Sequence, residues 1–273
     1  MKKIIFVSLF FAGILTSAFS KEDFSLRESG YYTDFTISVA FSTDNIITIG
    51  QRENGSKREG RYEAVSEQGL PFINVTWNDN STDRYLYLFY GSNYRLLLYD
   101  NDAEPFFNGI YFGSPPEEYD YDGWGISPYG GFMFSAVDDI TATSSIKEGD
   151  IIYSPDISDL AIGRPWAVSG NGIGEKISFR LSQPVNVYLS NGFISYSRPY
   201  LYSQNSRPSK IRVSYGDTSY IFELEDTPHF QSIRQDGQYF PFWENMEIEI
   251  LDVYQGTRFS DACITSILYY ESQ

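Results

Sequence analysis

Apolar and polar positions alternate in short runs along most of this chain. Ile73, Val75 and Trp77 alternate with Asn74 and Thr76, and Met246, Ile248 and Ile250 alternate with Glu247 and Glu249. A period of two puts one set of side chains on the buried face of a pleated strand and the other in water. No segment sustains a helical period. In the first half the pattern predicts strands over Phe35–Phe41, Ile46–Ile49, Arg61–Val65, Phe72–Trp77, Tyr85–Tyr90 and Tyr94–Tyr99. In the second half it predicts strands over Lys176–Leu181, Val185–Ser190, Lys210–Tyr215, Ser219–Leu224, Met246–Val253 and Ile264–Tyr270. Turn-forming residues separate the first set: Asp44-Asn45, Asn54-Gly55, Asn78-Asp79-Asn80 and Gly91-Ser92-Asn93. The fold class is therefore all-β. No helical crossover separates the strands, which excludes a parallel α/β sheet.

The strands fall into two blocks. Residues 21–113 read as an N-terminal small antiparallel β-barrel or meander, with a lipocalin-like half-barrel as one shape that fits. Residues 114–137, rich in Pro, Gly, acids and aromatics, read as a linker or long loop. Residues 138–273 read as a sandwich. Residues 1–20 have the layout of a secretory signal peptide: Met1-Lys2-Lys3, an apolar core from Ile4 to Thr16, and small residues to Ser20. That core is too short to span a bilayer comfortably. The expectation is a bacterial protein, secreted, periplasmic or associated with the cell envelope after cleavage, with no membrane insertion.

Composition narrows the function. There are 23 Tyr and 21 Phe in 273 residues; most suit pleated strands, and Tyr in such excess also supplies the amphipathic contact area that binding surfaces use. The formal charge is −16, and loss of Lys2 and Lys3 makes it −18, a field that opposes nucleic acid. Cys263 is the single cysteine, so no internal disulfide forms. His229 is the single histidine, and no nucleophile elbow, phosphate loop or zinc spacing occurs. These absences point to a protein that binds rather than catalyses. A glycoside hydrolase, which needs only two facing carboxylates, is the minor alternative.

Several phrases in the second block stand in a recognisable order: Ile140-Thr141-Ala142-Thr143-Ser144-Ser145, Tyr153, Asp159-Leu160 and Trp166. Asn171-Gly172-Ile173-Gly174-Glu175-Lys176-Ile177, Ser190-Asn191-Gly192-Phe193, Asn205-Ser206-Arg207, Val253-Tyr254-Gln255-Gly256 and Asp261-Ala262-Cys263-Ile264 follow. Over residues 138–270 this resembles the glycan-binding, or translocation, domain found beside bacterial NAD-glycohydrolase toxins, a relative of the discoidin and galactose-binding-like jelly rolls. The NADase activity belongs to the neighbouring domain of those toxins. The resemblance implies a jelly roll with a ligand site in loops clustered at one end. It makes Trp166, Glu175, Asn205 and Arg207 candidates, with the aromatic-rich stretches adding Tyr200, Tyr202 and Trp243. Aromatic faces would stack on a sugar ring, and Asn, Arg and acids would bond its hydroxyls. The expected partner is a glycan or a glycosylated surface partner; the alternative is a structural or protein-interaction module of the envelope. Trp166 and Glu175 also suit structural roles, Glu175 as the ion-pair partner of Arg207 or Lys210. No cofactor is expected. A structural calcium is disfavoured, because Ser266 stands where the family carries a Glu.

Overall fold

The computed structural model describes residues 26, 30–34, 36–51, 53–90, 95–111, 134–135, 138–181, 186–233 and 245–270. The expected signal peptide, most of the 114–137 linker and Trp243 lie outside these residues.

Eight antiparallel strands follow one another in the first half: β1 Gly30–Thr33, β2 Ile37–Phe41, β3 Ile46–Gln51, β4 Lys57–Glu67, β5 Leu70–Trp77, β6 Thr82–Tyr90, β7 Arg95–Tyr99 and β8 Phe107–Tyr111. Each pairs with the next, and β1 pairs with β8 through Tyr32↔Tyr111 and Thr33↔Ile110, so the meander closes into a barrel rather than half of one. Six of the eight strands are those expected. The short β1 and β8, which complete the ring, are the additions. Tyr32, Phe41, Ile73, Trp77, Phe89 and Phe107 fill the barrel. The β4–β5 hairpin turns on Gln68 and Gly69, at φ +55° and +89°, the double positive φ that a two-residue hairpin turn needs. A side chain at Gly69 would come within 2.9 Å of the Tyr202 ring.

The second half adds β9 Phe134–Ser135, β10 Asp138–Ala142, β11 Lys147–Glu148, β12 Ile151–Ile152, β13 Trp166–Val168, β14 Lys176–Arg180 and β15 Asn186–Asn191. One helical turn, α1 Tyr200–Gln204, comes next, then β16 Arg207–Tyr215, β17 Thr218–Glu223, β18 Gln231–Ser232, β19 Asn245–Tyr254 and β20 Ala262–Tyr270. One sheet runs β10-β14-β19-β16-β17 and the other β13-β20-β15-β18, with β9 paired to β20. Pairing of Phe134 and Ser135 with β20 draws residues ahead of 138 into this sandwich. Trp166, Ile177, Phe179, Phe222, Ile248 and Ile264 lie in the shared core. On β19, Met246, Ile248 and Ile250 are buried as the alternation predicts. The intervening Glu247 and Glu249 pair with Lys176 at 2.7 Å and Arg212 at 2.5 Å. Pro208, the second residue of β16, lies beside a register shift against β19, where its missing N–H is tolerated.

The barrel and the sandwich share a third apolar core. Strand β7 is buried on both faces: Leu96 and Leu98 point into the barrel, while Leu97 and Tyr99 point outward. The outward set, with Phe72, Leu88 and Tyr90, packs on Ile162, Ile194, Tyr202, Phe230 and Leu268. The rings of Tyr90 and Tyr188 stack at 4.1 Å. Polar bonds fix the register of this contact. Tyr196 donates to the Arg84 carbonyl at 3.0 Å, Tyr99 to the Leu160 carbonyl at 2.9 Å, and the Phe230 N–H to the Phe89 carbonyl at 3.0 Å. Among the described residues no helix is long and apolar enough to cross a membrane.

Candidate functional site

At one end of the sandwich four segments converge: the β11–β12 hairpin, the loop after β15, helix α1 and the loop between β19 and β20. Each is short for a reason visible in the sequence. Glu148-Gly149-Asp150 turns the hairpin, with Gly149 at φ +61°. Pro199 precedes α1, where its fixed φ suits a helix start, and Asn205 ends the helix in an extended conformation. Together the segments enclose a cavity of about 130 Å³. Its floor is Ala167, Phe193 and Cys263, with Tyr153 and Leu201 at the sides, and its charged rim is Glu148, Arg198 and Asp261.

Tyr153 and Phe193 meet edge to face, with ring centroids 5.8 Å apart. The Arg198 guanidinium lies 5.4 Å from the Phe193 centroid, and its Nη2 donates to the Gly163 carbonyl at 3.3 Å. The Tyr153 hydroxyl donates to Glu148 at 3.4 Å, and burial followed by the Glu148 charge raises its pKa. Burial raises the Asp261 carboxyl too, partly offset by a backbone hydrogen bond from Gly170. Burial raises the Cys263 thiol far above its ordinary value, which keeps it protonated and unreactive. Phe259 is 36% exposed at the mouth. On the hairpin, Ile151 and Ile152 are 45% and 57% exposed. The cavity is well under the roughly 300 Å³ at which small-molecule sites begin. It therefore suits one terminal group of a ligand, with an apolar patch to bury and hydrogen-bonding edges to satisfy.

The residues singled out from sequence fall mostly beside this cavity. Trp166 is fully buried, and its Nε1–H donates to the Ser144 carbonyl at 2.8 Å, so it presents no face to a ligand. Glu175 accepts from the hydroxyls of Thr143 and Ser144, tying the end of β10 to the start of β14. It pairs with neither Arg207 nor Lys210, whose partners are Asp226 and Glu223. Arg207 is buried and forks onto Asp226 with Nε at 2.7 Å and Nη2 at 2.9 Å, while Nη1 bonds the carbonyls of Tyr202 and Asn205. The carboxylate it grips is thus the protein's own. Tyr202 is buried against the barrel, and the aromatic-rich stretch that carries it and Tyr200 forms helix α1. Tyr200, on that helix, is 44% exposed. Asn205 lines the cavity, its side-chain amide bonded to the Leu201 carbonyl at 2.9 Å.

Of the candidates among the described residues, Asn205 alone lines the cavity; Glu148 and Phe259 were not singled out from sequence, and Arg198 entered only as the neighbour of Tyr200 in its aromatic-rich stretch. The available signal was Glu148-Gly149-Asp150 between Ile146 and Ile151-Ile152, a tight turn carrying an apolar pair. Ser266, at the position of the family's Glu, is buried opposite Ser190, and its hydroxyl offers no charged oxygen to a cation. Among the described residues no group of three His, Cys, Asp or Glu side chains is arranged to hold a metal ion.

No curated protein matches the chain. Among solved structures, the F5/8 type C domain of a Bacteroides fragilis protein is 14% identical, with a TM-score of 0.38, covering 51% of this chain and 97% of that one. The arabinofuranosyltransferase AftD from Mycobacteria is 13% identical, with a TM-score of 0.31, covering 51% of this chain and 11% of that one. Residues 132–270 match the model of the NAD glycohydrolase translocation F5/8 type C domain, just over half of the chain and the whole of the described sandwich. The chain therefore belongs to the NAD glycohydrolase translocation F5/8 type C domain family.

Proposed function

We propose that this protein is an exported, non-catalytic binding protein whose sandwich holds the terminal sugar of a glycan in the loop-end cavity. Membership of an F5/8 type C family, a class of carbohydrate- or protein-binding modules, supports the binding role. The observation that carries the reading is the lining itself: Phe193 in the floor and Tyr153 at the side give it an apolar surface, and Glu148, Arg198 and Asp261 stand around it. Such a mixture buries one apolar face of a sugar while carboxylates accept from its hydroxyls and a guanidinium donates to them. Export follows from the pattern of residues 1–20 and would place the protein in the periplasm, at the envelope or outside the cell.

The test is a glycan array probed with the full chain. Specific binding that Glu148→Gln or Phe259→Ala weakens about tenfold or more is the expected result, since each removes one charge-assisted hydrogen bond or one contact face. No binding across a broad array by a folded chain would overturn the reading.

Exposed Ile151 and Ile152 favour one second reading, in which the same end docks a protein. Envelope capture abolished by Ile151→Ser with Ile152→Ser, and indifferent to added sugars, would select it.

A further inference from the structure

We infer that the binding site extends beyond the loop-end cavity into a second cleft at the junction of barrel and sandwich, so that the ligand is an oligosaccharide rather than a single sugar. The inference rests on the loop-end reading above. The junction cleft holds about 470 Å³ and is lined by Asp102, Asp156, Asp159, Arg164 and Arg198, with Gly163 and Thr265 among its walls. That volume is within the range of small-molecule sites, which form preferentially where domains meet. The loop-end cavity alone is too small for more than a terminal group.

Arg198 lines both spaces. Its guanidinium lies over Phe193 in the first and donates to the Gly163 carbonyl in the second. Among the described residues, neither Arg198 nor Arg164 forms a salt bridge, although three aspartates line the same cleft. A guanidinium has five N–H donors, so both arginines keep donors for a ligand. Asp156 and Asp159 offer acceptors. Donors and acceptors facing one space suit a neutral hydroxylated chain, whose every hydroxyl both gives and takes a hydrogen bond.

The barrel contributes directly. The Asp102 carboxylate accepts from the N–H of Tyr196 at 2.5 Å and of Ser197 at 3.4 Å, from the Ser195 hydroxyl at 3.2 Å, and from the Ser197 hydroxyl. Ser195 Oγ in turn accepts from the Arg198 N–H at 3.0 Å. Gly163 packs so closely on Asp102 that a side chain there would come within 2.9 Å of it. Arg198 is thus held at its backbone through a barrel residue and at its guanidinium through Gly163. The barrel gains a role: it forms one wall of the site and positions the arginine shared by both halves.

The experiment uses the full chain on an array that prints each monosaccharide beside its linear tri- and tetrasaccharides. The expected result is a preference of about tenfold or more for the tetrasaccharide, equivalent to one or two charge-assisted hydrogen bonds. Arg164→Ala and Asp156→Asn should abolish that preference and leave monosaccharide binding unchanged. Equal affinity for short and long forms would overturn the inference. So would junction variants without effect, or with equal effect on both forms, while Phe259→Ala still weakens every form; the loop-end reading then survives alone. If Phe259→Ala changes nothing, the loop-end reading fails and takes the extension with it.

Discussion

Arg207 and His229 are both buried, and each stands where a different residue type would fail. Arg207 satisfies a carboxylate and two carbonyls at once through its planar fork. Asp226→Asn leaves the guanidinium buried with its partner charge removed and one of the two accepting oxygens replaced by a donor. We expect a loss of about 2–3 kcal/mol in unfolding free energy by denaturant titration, below the roughly 3–5 kcal/mol of a fully buried pair because Asp226 is half exposed. Arg207→Lys should cost a similar amount, since an ammonium cannot reproduce the fork. His229 accepts the Phe89 N–H on Nδ1 at 3.1 Å and lies against the rings of Tyr87 and Phe89. Burial pushes its pKa down to about 3. The unfolded chain takes up a proton near pH 6.5 that the native chain refuses. The stabilisation from neutral His229 is therefore complete above pH 6.5. It drains by up to about 1.4 kcal/mol per pH unit as pH falls toward 3. In His229→Asn the amide oxygen replaces Nδ1 without titrating. The stability difference between wild type and this variant should shift steadily against the wild type between pH 7 and pH 4; a constant difference would contradict the burial of a neutral imidazole.

At the scale of elements, the long strands were legible and the short ones were not. Strand β19 announced itself because its inward residues pack in the sandwich core while its outward acids meet cations on β14 and β16. Strand β7 differs: after Arg95, Leu96-Leu97-Leu98-Tyr99 is an apolar run without alternation, as suits a strand buried on both faces. Its second face is the contact with the sandwich, which the sequence pattern did not anticipate. β11, β12 and β13 span two or three residues each, too few for a period, and α1 is one turn held by tertiary packing of Tyr202. These short elements build the loop-end cavity, which is why the candidate residues fell beside it. Trp166 and Arg207 became candidates through the resemblance and its loop-end site, and both are buried. The hairpin carries the opposite signal, apolar residues left in water. Ile151→Ser with Ile152→Ser should leave stability within about 0.5 kcal/mol of wild type, as surface changes do; a larger loss by thermal melting would mean the hairpin is packed.

At the scale of the whole molecule, the shared core couples barrel and sandwich. Leu97 belongs to it, and Leu97→Ala should cost about 2–5 kcal/mol although it touches neither the barrel interior nor the sandwich core. We expect one cooperative unfolding transition for the full chain in scanning calorimetry, lowered as a unit by Leu97→Ala. Two separated transitions would show the halves to be independent. Cutting the chain between the halves would bare Leu88, Tyr90, Leu97 and Tyr99 on one side and Ile162, Ile194, Tyr202 and Phe230 on the other. The intact chain is therefore the proper material for every binding experiment. The measurement that bears most directly on the proposed site is a crystal structure of the full chain with its strongest array glycan. The account predicts a terminal sugar over Tyr153 and Phe193, within hydrogen-bond reach of Glu148, Arg198 or Asp261. A sugar seated elsewhere, with those five side chains untouched, would contradict it.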